Sequence, residues 1–179
     1  MLKIALILLL ILAVAIVALL ILAARKPDSF RISRSVLIKA KADKVFDLID
    51  DFKAWPQWSP YETRDPGMTR TYGPISKGKG ATYEWAGDNK TVGAGRMRIT
   101  EAAAPYKLLI ALEFLRPLKA SNTAEFTLEP EGDAVKTTWA MFGPQRFTAK
   151  LMGMAWNMDK MVGKDFEAGL AKLKTVAEN

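Results

Sequence analysis

The chain contains no cysteine and no histidine. Without cysteine there are no disulfides, no thiolate nucleophile and no Cys-ligated metal. Without histidine there is no Ser-His-Asp or Cys-His arrangement, no imidazole acid or base, and no His-ligated metal. Any chemistry falls to carboxylates, Lys, Tyr, Arg or a bound cofactor, and nothing in the sequence calls for a cofactor. A phosphate-binding glycine loop is missing too: the stretch from Gly73 to Gly80, GPISKGKG, lacks the spacing and reads as a hairpin loop. Asp50, Asp51 and Asp65 form no metal cluster; they read as a helix end and a turn. The net charge is +7, but there is no run of five basic residues and no basic–aromatic motif, so nucleic acid is not an expected partner. Dispersed basic charge suits a domain held near anionic headgroups.

Half of the residues are apolar, which excludes a disordered chain. Ile4–Ala24 is an unbroken apolar run of 21 residues, preceded by Lys3 and ended by Arg25-Lys26-Pro27. About 20 residues span a hydrocarbon core. A secretory signal has a shorter apolar region and a small-x-small cleavage site; here Leu22 stands where a small residue belongs. The expectation is a single-span anchor over residues 1–26, with a cleaved signal as the alternative, and one domain over residues 27–179. Arg25, Lys26, Arg31 and Arg34 outweigh Lys3 and favour the cytoplasmic side, whereas an ordinary signal anchor would put the domain outside.

Along the domain, Phe30–Ile38 alternates as a half-exposed strand. Asp43 is a candidate N-cap for a short helix with Val45, Phe46, Ile49 and Phe52 apolar. The segment WPQWSPY, Trp55 to Tyr61, carries two prolines and three large aromatics. It either plugs one end of the core or lines a ligand entrance, because each indole nitrogen wants a partner. Strands are predicted at Met68–Tyr72, Gly80–Ala86, Gly95–Ala102, Lys107–Leu115, Ala120–Leu128 and Val135–Phe142, with turns at Gly87-Asp88-Asn89 and Glu131-Gly132-Asp133. Lys107–Leu115 is apolar on both faces except Glu113, so it is either covered twice or central in a curved sheet.

Thr148–Val176 repeats apolar residues every three or four positions and predicts one long amphipathic helix. Pro144 precedes it, and Lys172 and Lys174 sit in its last turns. Met152, Met154, Met158 and Met161 crowd its first half, and Gly153, Gly163 and Gly169 interrupt it. Methionine is an adaptable gap-filler, so the helix reads either as core or as one wall of an apolar cavity. Strands followed by one long helix imply an α+β fold with the sheet curled around the helix.

These segments carry a resemblance. The early strand SRSVLIKA, the short helix VFDLIDDF and then WPQWSPY are followed by GAGRMRITEAAAPYKLLIALEF, NTAEFTLEPEGDAVKTTWAM and the final helix. Together they resemble the START-like helix-grip (SRPBCC) superfamily, in its polyketide cyclase/dehydratase-like branch, over about Phe30–Val176. The resemblance implies a helix-grip fold: a curved antiparallel sheet of six or seven strands gripping a C-terminal helix, with an apolar cavity between. Relatives bind lipids, sterols, plant hormones and polyketides, and some are cyclases. The N-terminal span departs from the soluble members and points to work at a membrane.

Three functions are open. The first is a binding or transfer module for a hydrophobic small molecule such as a lipid, an isoprenoid or a polyketide-like compound. Its walls would be Tyr83, Trp85, Met97, Leu109, Phe126, Trp139, Met154 and Met158, with Trp58 and Tyr61 near the mouth. The second is a cyclase or dehydratase, with Glu113 as acid or base, Tyr83 as proton donor and Arg98 holding an oxyanion. The bland alternative for Glu113 is a surface carboxylate paired with an arginine. The third is a closed interaction domain serving a membrane assembly.

Overall fold

The computed structural model describes residues 2–88, 90–155 and 157–179. The elements are α1 (Leu2–Ala24), β1 (Ser29–Ile38), α2 (Ala42–Asp50), two short 3-10 helices (Phe52–Gln57 and Pro60–Thr63), β2 (Thr69–Tyr72), β3 (Thr82–Ala86), β4 (Ala94–Ala103), β5 (Lys107–Arg116), β6 (Ala120–Glu131), β7 (Ala134–Pro144), α3 (Phe147–Ala155) and α4 (Met158–Glu178). They form two compact units. One holds residues 1–30 and 144–158; the other holds residues 31–143 and 159–179.

In the first unit, α1 is an apolar helix with mean hydropathy 3.6, long enough to cross a membrane; a signal sequence has the same character. In the second unit, seven strands form one curved sheet in the order β1-β7-β6-β5-β4-β3-β2. β5 is therefore the central strand, and this explains its apolar run. Leu108 and Ile110 are fully buried on one face, while Leu109 and Ala111 are half-buried on the other. The pleat alternates sides, and register carries this across the sheet. Met97 lies between Tyr83 and Leu112, whereas Arg96 lies between Glu84 and Glu113 on the opposite face.

The α4 helix packs Phe166, Leu170 and Leu173 into the concave face. Two of its glycines have steric reasons. A Cβ on Gly169 would stand 2.8 Å from Trp139 Cζ3 and 3.0 Å from Pro60 Cδ. A Cβ on Gly163 would overlap the Arg34 guanidinium, which ties β1 to α4 through Glu167 (2.7 Å) and Asp159 (3.1 Å). The space beside Gly153 has no such crowding.

The structure corrects three expectations. The predicted helix over Thr148–Val176 is two helices, α3 ending at Ala155 and α4 starting at Met158 with Asp159 in its first turn, where a carboxylate suits the helix dipole. Asp43 lies in the first turn of α2, and Lys41 takes the N-cap position. α4 runs past Val176 to Glu178, so Lys174 is not at its end; its ammonium donates to the Leu37 carbonyl at 2.6 Å. Of the expected turn at residues 87–89, Asn89 lies outside the described residues.

Candidate functional site

The concave face of the sheet is built from aromatic rings. Trp139 on β7 is 3% exposed and meets four other rings. Its ring stacks on Phe166 of α4 at 4.2 Å and on Phe126 of β6 at 5.2 Å. Trp58 and Tyr61 meet it edge-on at 5.5 and 6.2 Å. Each such pair adds about 0.5–1.5 kcal/mol beyond area burial, so this cluster fastens sheet to helix. The Trp139 indole N–H has no hydrogen-bond partner, nor do the buried hydroxyls of Thr137, two residues earlier on the same face, and of Ser59. A buried donor left unpaired costs about 1–3 kcal/mol. These groups stand ready for a water or a ligand oxygen.

The aromatic segment after α2 plugs the core. Trp58 is fully buried and Trp55 nearly so. Their indole nitrogens donate to the Leu48 carbonyl at 2.8 Å and the Ile49 carbonyl at 3.0 Å. Pro56 and Pro60 hold this chain in short 3-10 turns. Tyr61 alone of the three remains half-buried. Its hydroxyl donates to Asp165 at 3.4 Å, and Arg64 pairs with the same carboxylate while its guanidinium lies over the Tyr61 ring. Burial first, and Asp165 second, push the Tyr61 phenol well above its ordinary range.

Beyond the plug, the concave face continues along β3, β4 and β5. Tyr83 is buried, and Trp85 and Phe114 meet edge-on at 5.9 Å. The Trp85 indole covers the bare backbone of Gly95, where any Cβ would collide with it. Trp85, Leu112 and Phe114 are half-buried, as is Asn122, which pairs across from Leu112. This row is a partly open apolar surface with one amide in it.

A buried polar knot closes the β2–β3 end. Glu62, 7% exposed, accepts from Arg70 Nε at 2.6 Å and from the Tyr83 hydroxyl at 2.8 Å. Arg70 Nη2 also donates to the Glu62 carbonyl at 2.6 Å. Burial first, and the bond to Glu62 second, raise the Tyr83 phenol far above its usual range. Tyr83 keeps its proton and spends it on Glu62.

The sequence-derived residues fall into three places. Trp58, Tyr61, Tyr83, Trp85, Met97, Phe126 and Trp139 all belong to the concave face or its plug, with Trp58 inside the plug rather than at a mouth. Leu109 faces the other way, opposite Glu101 and Glu125. Met154 of α3 and Met158 at the start of α4 are exposed.

The catalytic candidates do not converge. Glu113 and Arg98 point to the convex face, while Tyr83 points to the concave one. Glu113 is held by Arg96, at 2.9 Å from Nε and 2.7 Å from Nη2. With Thr82, Glu84, Arg96, Met97 and Ala111 they line a cavity of about 490 Å³. Its walls carry two carboxylates and two guanidinium groups and suit a small polar molecule, not an apolar one. Among the described residues, no cluster of acidic side chains could hold a metal ion.

Sequence reasoning missed several residues of the site. Leu112 and Phe114 were findable by extending the two-residue period of β5 from Ile110. The Glu62–Arg70–Tyr83 knot had no such signal, because Glu62 sits in a 3-10 turn with no periodicity to read.

Solved structures share the fold. Protein CV1439 from Chromobacterium violaceum is 15% identical with a TM-score of 0.59, over 86% of this chain and 99% of that one. Protein SA2116 from Staphylococcus aureus, described as of unknown function, is 11% identical with a TM-score of 0.63, over 84% and 94%. BexL, a di-domain ARO/CYC protein of the BE-7585A biosynthetic pathway, is 13% identical with a TM-score of 0.63; the match covers 88% of this chain and 53% of BexL, about half its length. No curated protein matches at a significant level. The family model for polyketide cyclase/dehydrase and lipid transport proteins matches residues 29–178, and with the sheet-and-helix architecture around it this chain belongs to that family.

Proposed function

We propose that this chain is a membrane-anchored module that binds or transfers a hydrophobic small molecule, of lipid, isoprenoid or polyketide-like chemistry. Residues 1–26 are its anchor and residues 27–179 its binding domain. The observation that carries the reading is the Trp139 indole N–H, buried without an acceptor in an aromatic wall. Ligand sites of this kind are mostly apolar with a few placed polar groups. Trp85, Leu112 and Phe114 supply apolar contact, and Trp139, Thr137 and Asn122 supply the polar points that orient an oxygen.

The test is uptake of a fluorescent fatty-acid probe by the full chain in mild detergent. Trp139→Phe keeps the ring stack and removes one donor. A hydrogen bond of this type is worth about 1 kcal/mol, so the variant should bind roughly fivefold more weakly with an unchanged fold by circular dichroism. Equal uptake by both proteins removes Trp139 from the site, and no uptake by either refutes the reading.

Chemistry on a bound polyketide-like molecule is the second reading. It takes support from the family description and from the ARO/CYC protein BexL. It would have to employ the Glu62–Tyr83 pair, the carboxylate and phenol that meet at the concave face.

A further inference from the structure

The unit made of residues 1–30 and 144–158 holds a surface that ligand binding does not use. Two bonds from α3, and a third from Gln145 just before it, fasten this segment to the chain just after α1. Lys26 Nζ donates to the Gly153 carbonyl at 3.0 Å. Lys150 Nζ pairs with the Asp28 carboxylate at 2.5 Å. The Gln145 backbone N–H donates to the Asp28 carbonyl at 2.7 Å. All of these anchor points lie within four residues of Ala24, the end of the apolar helix.

That geometry fixes a depth. With Ile4–Ala24 in the hydrocarbon, Lys26 lies in the headgroup layer, and Gly153 lies there with it. No residue of α3 is more than six positions from Gly153, or about 9 Å along the axis. The headgroup layer itself is roughly 5–8 Å thick on each side. The Gly153 end of α3, with Met154 beside it, is therefore held at the bilayer surface.

Its side chains suit that place. Phe147, Met152 and Met154 are exposed, at 44%, 46% and 36%, an unusual display for large apolar groups on one short helix. The charges around them are one-sided. Arg25, Lys26, Arg146 and Lys150 stand against Asp28 alone in residues 25–30 and 144–158; Lys150 is buried against Asp28, which leaves Arg25 and Arg146 exposed. Large apolar groups beside basic ones are the composition of a helix lying in an anionic interface.

We infer that α3 is an interfacial helix, which beds Phe147 and Met154, seven residues apart and so on one face, in the surface of an anionic bilayer while the exposed Arg25 and Arg146 meet lipid phosphates. This rests on the anchor reading of α1, and the test separates the two. The chain has no native cysteine, so single nitroxide labels can be placed at Ile16→Cys in α1, Met154→Cys in α3 and Thr175→Cys on the exposed side of α4. The full chain is reconstituted in phosphatidylcholine vesicles containing phosphatidylglycerol. Collision rates with oxygen, which enters lipid, and with a nickel chelate, which stays in water, are then measured.

The expected result is oxygen-dominated relaxation at Ile16 and Met154, with Met154 the shallower, and nickel-dominated relaxation at Thr175. The oxygen-to-nickel ratio at Met154 should exceed that at Thr175 several-fold, and it should fall when phosphatidylglycerol is left out. A nickel-dominated label at Met154 with Ile16 in lipid overturns the interfacial helix and leaves the anchor standing. Low collision with both reagents at Met154 means protein covers that face, and overturns the inference as well. Nickel dominance at all three sites removes anchor and interfacial helix together. A ratio at Met154 that ignores phosphatidylglycerol overturns the requirement for anionic lipid.

Discussion

Replacing Gly169 by alanine should destabilise the domain, although alanine is the better helix former. In a helix interior Gly→Ala gains about 1 kcal/mol from propensity. At Gly169 the new Cβ would stand 2.8 Å from Trp139 Cζ3 and 3.0 Å from Pro60 Cδ. Neither atom can yield easily. Trp139 is clamped between Phe126 and Phe166, and Pro60 is a rigid ring at the head of a 3-10 turn. Overpacking a filled core costs about 1–3 kcal/mol. Taking the middle of that range, the net loss is about 1 kcal/mol, which for a chain of this size lowers Tm by roughly 2–4 °C. Ala168→Gly, next door on the exposed side of α4, is the control. It loses about 1 kcal/mol by propensity alone. Thermal unfolding of the full chain in one detergent compares the three proteins. A Gly169→Ala variant that melts above the parent would refute the close approach of α4 to Trp139 and Pro60.

Three further outcomes follow from the same contacts. Burial, reinforced by the carboxylates of Asp47 and Asp51 and only partly offset by Lys77, pushes the Asp50 carboxyl up to about 6. Between about pH 4 and pH 6 the folded chain then holds a proton that the unfolded chain has released, so stability falls as pH rises through that window. Asp50→Asn should add about 1 kcal/mol at pH 7, allowing for solvent screening, and nothing at pH 3.5; urea titrations at the two pH values check this. Tyr83→Phe removes a donor to a buried carboxylate, and the loss should be about 2 kcal/mol in urea unfolding with an unchanged m-value; a neutral result would mean that Glu62 does not depend on this bond. Glu113→Gln breaks an exposed pair with Arg96, so it should cost no more than about 1 kcal/mol and leave probe uptake unaltered; a collapse of uptake would move the site to the convex face.

How far the sequence could be read depended on which physical rule each segment obeys. Alternation of apolar and polar residues placed β1, β3, β4 and β7 to within two residues and β6 to within three, because a half-buried strand must repeat every second position. β5 broke that pattern, and its central place in the sheet is the reason. Glycine was legible as an oddity at Gly163 and Gly169, but its cause was not, since the Arg34 guanidinium and the Trp139 ring arrive from far along the chain. The break at Asn157 was hidden because the three-and-four spacing of Leu151, Met154, Met158 and Met161 continues across it. Face assignment failed for Leu109 because a strand apolar on both sides does not say which side is inward. The catalytic candidates were chosen for their chemistry alone, and register sends Glu113 and Arg98 to one side of the sheet and Tyr83 to the other.

The most direct test of the central claim is native mass spectrometry of the full chain released gently from detergent, with extraction and identification of anything bound. The account predicts one hydrophobic molecule per chain, carrying an oxygen acceptor and retained less well by Trp139→Phe. A chain that is empty as purified, and that takes up no fatty-acid probe when offered one, would contradict it.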